Sequence, residues 1–126
     1  MAKQPIALAK FTRPKLFGVI ARKRLFTLLD DRRQYPVVWI SGPPGAGKTT
    51  CVATYLQARK LAGIWYQVDS GDADPASFFY YLGQAAQKVA AGKRQTLPLL
   101  TPEYLADLPS FTRRFFRELY GCLHTD

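Results

Sequence analysis

Eight consecutive residues, Gly42-Pro43-Pro44-Gly45-Ala46-Gly47-Lys48-Thr49, fit the pattern GxxxxGK[ST], and their types suit the cradling of a phosphate chain. Phosphate oxygens are met by backbone N–H groups at close range and unusual backbone angles, which Gly45 and Gly47 permit. Lys48 brings a point charge to the β- and γ-phosphates, and Thr49 a hydroxyl for Mg²⁺. A helix starting at Lys48 adds unpaired N–H groups and the positive end of its dipole. Thr50 extends the set toward the α-phosphate. Gly42 to Thr50 is therefore the candidate site for ATP, with Thr49 the candidate metal ligand.

The flanking sequence predicts the elements that hold such a loop. Pro36 opens PVVWIS, a nearly continuous apolar run that reads as a buried parallel strand. After the loop, KTTCVATYLQARKLA reads as a helix buried through Val52, Tyr55, Leu56 and Leu61, stopped by Gly63. IWYQV at 64–68 reads as a second strand. Asp74 and Pro75 then suit the N-cap and first position of a helix. Phe78, Phe79, Leu82, Ala85, Ala86 and Val89 form its stripe, and Gly92 ends it. TPEYLADL reads as a helical turn, and SFTRRFFRELYGCL as a last helix buried through Phe111, Phe115, Leu119 and Leu123. Upstream, residues 1–16 read as an extended arm, and Phe17 to Asp31 as a short helix with Leu25, Leu28 and Leu29 on one face. The order predicts an α/β fold: a P-loop NTPase domain with a partial parallel sheet flanked by helices, and an incomplete one.

Hydrolysis requires an acidic strand end to hold Mg²⁺ and a group to orient water. Downstream of Lys48 the nearest candidate is IWYQVDSGD, where Asp69 follows a run interrupted by Gln67. ATPase activity is therefore not expected. A second reading, a small P-loop kinase, uses Asp69 as base toward a substrate hydroxyl and Arg113, Arg114 or Arg117 as a lid. His124 stands alone near the C-terminus and reads as solvated.

Composition bounds these readings. A chain of 126 residues supplies one small domain. It contains no run of eighteen apolar residues, so no membrane partner is expected, nor does an apolar secretory segment follow the basic start. Cys51 and Cys122 read as reduced thiols of a cytoplasmic protein. The net charge of +9 is uneven: residues 1–33 hold nine Lys or Arg against Asp30 and Asp31, a net of +7. A basic arm can engage nucleic acid or an acidic surface, but this one carries no recognition-helix pattern and reads as a solvated face.

Three segments together carry a family resemblance: KFTRPKLFGVIARKRLFTLLD, VVWISGPPGAGKTT and IWYQVDSGDADPASFFYYLGQAA. The chain resembles the N-terminal part of the LuxR-type STAND ATPases, the large ATP-binding bacterial transcription activators of the maltose-regulon-activator type. The resemblance implies ATP and Mg²⁺ at Gly42 to Thr50. It implies that Val19 and Ile20 lie near the adenine and that Arg22 contacts nucleotide. Asp69, Asp72 and Asp74 would form a structural acidic turn. Residues 1–33 would then flank the nucleotide site as a basic arm and short helix, with 34–126 the N-terminal portion of the NTPase domain. The expectation is an ATP-binding fragment cut before the Walker B strand. It would reach DNA only through domains missing from this sequence, and self-associate through an exposed sheet edge.

Overall fold

Helix-period apolar stripes decide most of the architecture. The structure, a computed structural model, describes residues 6–16, 18–89 and 97–123. Five α-helices occur among them: α1 (Ile6–Phe11), α2 (Lys23–Arg32), α3 (Lys48–Ala58), α4 (Pro75–Val89) and α5 (Leu108–Leu123). Two 3-10 turns, Ser70–Ala73 and Pro102–Tyr104, precede α4 and α5. The chain divides into two compact units, one of Met1–Thr12 with Gly63–Asp126 and the other of Arg13–Ala62. The expected boundary between residues 33 and 34 falls inside the second.

The first unit is built on aromatic packing between α4 and α5. Asp74 starts α4 as its composition predicts: its carboxylate accepts from the Ser77 N–H at 3.3 Å and the Ser77 hydroxyl at 2.8 Å. Asp107 repeats the device for α5 through Ser110, at 3.2 and 2.7 Å, so α5 begins at Leu108, two residues ahead of the expected Ser110. From these starts the apolar stripes meet in a core of Phe79, Leu82, Ala86, Phe111, Phe115 and Leu119, with Leu97 and Cys122 at its edge. The Phe79 ring lies 4.9 Å from those of Phe111 and Phe115, tilted or edge-on to each, the arrangement that aromatic quadrupoles favour. Val89 and Leu123, expected on the buried stripes, stay partly exposed at the helix ends. The expected stop at Gly92 and the tail histidine, His124, lie outside the described residues.

In the second unit, α2 and α3 are joined through the Phe26 and Tyr55 rings, 5.4 Å apart and edge-on. The buried residue of α2 is Phe26, whereas Leu28 is half exposed. In α3, Ala53 and Tyr55 are buried. This helix ends at Ala58, earlier than Gly63 would impose, because Lys60 takes a left-handed φ of 52°.

The α/β expectation is overturned. Among the described residues there is no β-strand and no sheet; they are helical, joined by irregular connections. A buried parallel strand exists only between hydrogen-bonded neighbours on either side, and residues 36–41 gain none. They form no regular element, and Val37 is 77% and Trp39 87% exposed. Residues 64–68 are held instead by the Gln67 N–H, which donates to the Lys10 carbonyl at 2.9 Å. Among the described residues there is no sheet edge of the kind that the self-association expectation invoked. The extended-arm reading of residues 1–16 is also corrected: Ile6–Phe11 is helical, and Lys10 is buried. The expected helix from Phe17 begins only at Lys23, and Phe17 itself is not described.

Candidate functional site

The glycine-rich loop adopts the backbone its composition predicts. Gly45 and Gly47 have φ of 81° and 83°, the left-handed region that costs a side-chain-bearing residue roughly 1–2 kcal/mol. Between them the Ala46 N–H closes a turn onto the Pro43 carbonyl at 3.2 Å. Gly47 is the N-cap of α3, and its carbonyl accepts the first helical bond, from the Cys51 N–H at 2.9 Å. No side-chain cap covers this helix start. The N–H groups of Lys48, Thr49 and Thr50 therefore lie in a first turn that has no intrahelical acceptors.

Lys48 folds back over its own loop. Its ammonium donates to the Gly42 carbonyl at 2.6 Å and to the Pro43 carbonyl at 3.0 Å. Arg22, just ahead of α2, reaches the same loop. Its guanidinium donates to the Ala46 carbonyl at 3.4 Å and lies 3.4 Å from where a Cβ on Gly47 would sit.

A cleft of about 470 Å³ opens here, within the size range of small-molecule sites. It brings together four segments of the sequence reading: Val19 and Ile20, Arg22, Gly47, and Thr50. Gly18, Phe26, Cys51 and Thr54 complete the wall and were missed. The signal for them was present, since Cys51 and Thr54 lie one and four residues beyond Thr50, on the same helix. Gly42, Pro43, Pro44, Gly45, Ala46, Lys48 and Thr49 do not line this cleft; they form the loop beside it. The loop and the apolar wall therefore adjoin at Gly47 and Thr50.

A second group, also missed, ties the two walls together. Asp30 of α2 accepts a two-pronged contact from the Arg59 guanidinium, at 3.0 and 2.8 Å, and a third bond from the Tyr55 hydroxyl at 2.6 Å. The Arg59 and Tyr55 hydrogen bonds hold the Asp30 carboxyl down at about 2 against the burial that would raise it. Arg59 also lies over the Phe26 and Tyr55 rings, 5.6 and 5.5 Å from their centroids.

Asp69, Asp72 and Asp74 are used within their own unit. Asp69 accepts from the Gly71 N–H at 2.9 Å, while Asp72 accepts from the Asp69 N–H at 2.8 Å, a reciprocal capping box. Lys10 lies 2.7 Å from both carboxylates, and the Tyr66 hydroxyl donates to Asp72. The Asp69 carboxylate proposed as a kinase base is thus already held by a backbone N–H and a lysine. Arg114, one of the lid candidates, is paired with Glu118 and donates to the Tyr104 hydroxyl. Among the described residues no three His, Cys, Asp or Glu side chains group as a metal site. Thr49, the residue expected to hold a metal, lies in the first turn of α3.

No helix among the described residues is long and apolar enough to cross a membrane. No protein-family model matches the chain, and no solved structure does. Curated sequences do match. The HTH-type transcriptional regulator MalT of Vibrio cholerae is 41% identical over 81 residues, covering 64% of this chain and 9% of the relative. MalT of Vibrio campbellii is 35% identical over 116 residues, 82% of this chain and 13% of the relative. MalT of Cronobacter sakazakii is 31% identical over 113 residues, 88% of this chain and 12% of the relative. The chain spans about a tenth of the length of these relatives, and it is similar, over most of its own length, to part of HTH-type transcriptional regulators.

Proposed function

We propose that this chain is a nucleotide-binding element of a bacterial transcriptional regulator, holding ATP with Mg²⁺ at the Gly42–Thr50 loop and the adjoining cleft. The observation that carries the reading is the loop itself. Two left-handed glycines lead into a helix start that has no side-chain cap, which is where a phosphate chain is best met by backbone N–H groups. ATP supplies the anionic phosphates and brings Mg²⁺ with it. Lys48, now bonded to two carbonyls of its own loop, exchanges them for phosphate oxygens. Thr49 offers a hydroxyl to the metal; the rest of the metal's shell is left to phosphate and water, as suits Mg²⁺. Val19 and Ile20 contribute apolar wall, and Arg22 a cation at the junction of wall and loop.

The similarity to MalT proteins supports the regulator part of this reading. DNA recognition is assigned to helix-turn-helix segments of the kind named in those relatives, not to the loop or the cleft. The reading concerns binding, and no residue is assigned to hydrolysis. Titration of the chain with a fluorescent ATP analogue tests it: saturable, Mg²⁺-dependent binding is expected, and its loss in Lys48→Ala. Equal affinity of Lys48→Ala and the unsubstituted chain would refute the site.

A further inference from the structure

Helices α2 and α3 touch at three levels in matching order. Arg22, at the start of α2, meets Ala46 and Gly47 at the start of α3. Phe26 meets Tyr55 midway. Asp30 meets Tyr55 and Arg59 at the far end. On the α2 side the contacts advance from Arg22 through Phe26 to Asp30, eight residues, and on the α3 side from Gly47 through Tyr55 to Arg59, twelve residues, or about 12 and about 18 Å at 1.5 Å per residue. The helices therefore run in the same direction, pinned at both ends.

The cleft lies between the pins. One wall comes from the α2 side through Val19, Ile20 and Phe26, and the other from α3 through Thr50 and Thr54. The contact at the loop end is slight, a single Arg22 bond of 3.4 Å. At the other end a two-pronged guanidinium–carboxylate pair and a tyrosine hydroxyl converge on one carboxylate, the geometry that fixes direction as well as distance. The stronger fastening is thus remote from the cleft mouth.

We propose that Asp30 is a positioning residue for the nucleotide: by clasping Arg59 and Tyr55 it holds α2 alongside α3 and sets the separation of the cleft walls. The phosphate loop is continuous with α3 and does not depend on the clasp. Loosening the clasp therefore withdraws the wall that carries Val19, Ile20 and Arg22 while leaving Gly42 to Thr50 in place. This inference rests on the nucleotide reading above and adds that nucleoside and phosphate recognition are separable.

The experiment compares two probes, a fluorescent ATP analogue and inorganic tripolyphosphate, on the 126-residue chain and its variants. Asp30→Ala is expected to weaken the nucleotide about tenfold, a usual size for coupling between sites, and to leave tripolyphosphate within about twofold. Asp30→Glu, which keeps the carboxylate, is expected to recover part of the loss. Unchanged nucleotide affinity in Asp30→Ala overturns the proposal, as does an equal loss of both probes in a chain that keeps its helical circular dichroism. Where Asp30→Ala loses that dichroism, Tyr55→Phe decides instead. It removes one hydroxyl and keeps the ring on Phe26, so a smaller nucleotide-selective loss supports the proposal and none overturns it. Failure of the unsubstituted chain to bind either probe refutes the nucleotide reading and this inference with it; binding of both, with no selective loss in the variants, refutes the inference alone.

Discussion

Lys10 and Asp72 stand 62 residues apart in sequence, yet the Lys10 ammonium donates to Asp72 Oδ2 at 2.7 Å. Both side chains are almost closed to solvent, at 8% and 4% exposure. Burial favours the neutral forms of both groups, but the hydrogen bonds outweigh it. Those from Lys10, Tyr66 and the Asp69 N–H take the Asp72 carboxyl down to about 2, and those to Asp69 and Asp72 raise Lys10 above the usual lysine range. The pair joins α1 to the 3-10 turn ahead of α4, so a residue expected on a loose basic arm is instead a fastening of the first unit.

Acid stability follows from the direction of that shift. A carboxylate held below its unfolded value of 3.8 stabilises the fold fully above that pH and loses the contribution as pH falls through the folded value, about 2 for Asp72 and for Asp30. Urea midpoints are therefore expected to be flat with respect to these two groups from pH 7 to about 5, and to fall between about pH 4 and 2. Asp72→Asn should lower the midpoint at pH 7, since it leaves the buried Lys10 with Asp69 alone as its carboxylate, and should flatten the acid limb. A steeper acid limb in Asp72→Asn would contradict the assignment.

Gly45 and Gly47 offer a paired test of the loop backbone. Both have left-handed φ, but a Cβ at Gly45 meets nothing within 4 Å, whereas one at Gly47 lies 3.4 Å from the Arg22 guanidinium. Backbone strain is common to both substitutions, and the tip of a flexible arginine gives way easily. Gly45→Ala and Gly47→Ala are each expected to cost about 1–2 kcal/mol in urea unfolding, and to agree within about 0.5 kcal/mol. A much larger loss at Gly47 would mean that Arg22 is held more firmly than its single bond of 3.4 Å implies.

The features legible from sequence were those set by local chemistry. The Gly45 and Gly47 conformations, the Asp74 cap and the Phe79, Leu82, Phe111 and Phe115 stripes all follow from side-chain type and helical spacing. The sheet was misread because VVWI records only that a segment is apolar and β-branched. Strand formation also needs neighbouring strands, and none flanks residues 36–41 among the described residues. The Asp30–Arg59 clasp was invisible for a different reason. Its partners are 29 residues apart, and each alone reads as an ordinary surface charge. Lys10 was misread likewise, because its burial is produced by contacts across 62 residues.

The α4–α5 core supports two predictions of opposite sign. Phe115 is fully buried and packs on Phe79 and Phe111, so Phe115→Ala is expected to cost about 3–5 kcal/mol, a large part of the stability of a small fold. Gly83 lies inside α4, and a Cβ there would meet nothing within 4 Å. Gly83→Ala is expected to stabilise by about 0.5–1 kcal/mol by removing backbone freedom from the unfolded chain. Thermal melts of the two variants should move in opposite directions, and destabilisation by Gly83→Ala would show that the space beside α4 is filled.

Exposed apolar side chains at residues 37–40 predict association at high concentration. Val37 and Trp39 are 77% and 87% exposed, and the run borders an open, largely apolar cleft of about 620 Å³ lined in part by Leu28, Leu29 and Tyr35. An exposed apolar segment with no strand partner is a template for intermolecular contact even where no sheet exists. Sedimentation velocity is expected to show concentration-dependent association of the chain, reduced in Trp39→Lys. Trp39 is the more exposed of the two tryptophans, Trp65 being half-buried, so association should also shift the emission to the blue as indole leaves water. A chain that stays monomeric across the concentration series, with red-shifted emission throughout, would show that the exposed run does not drive contact.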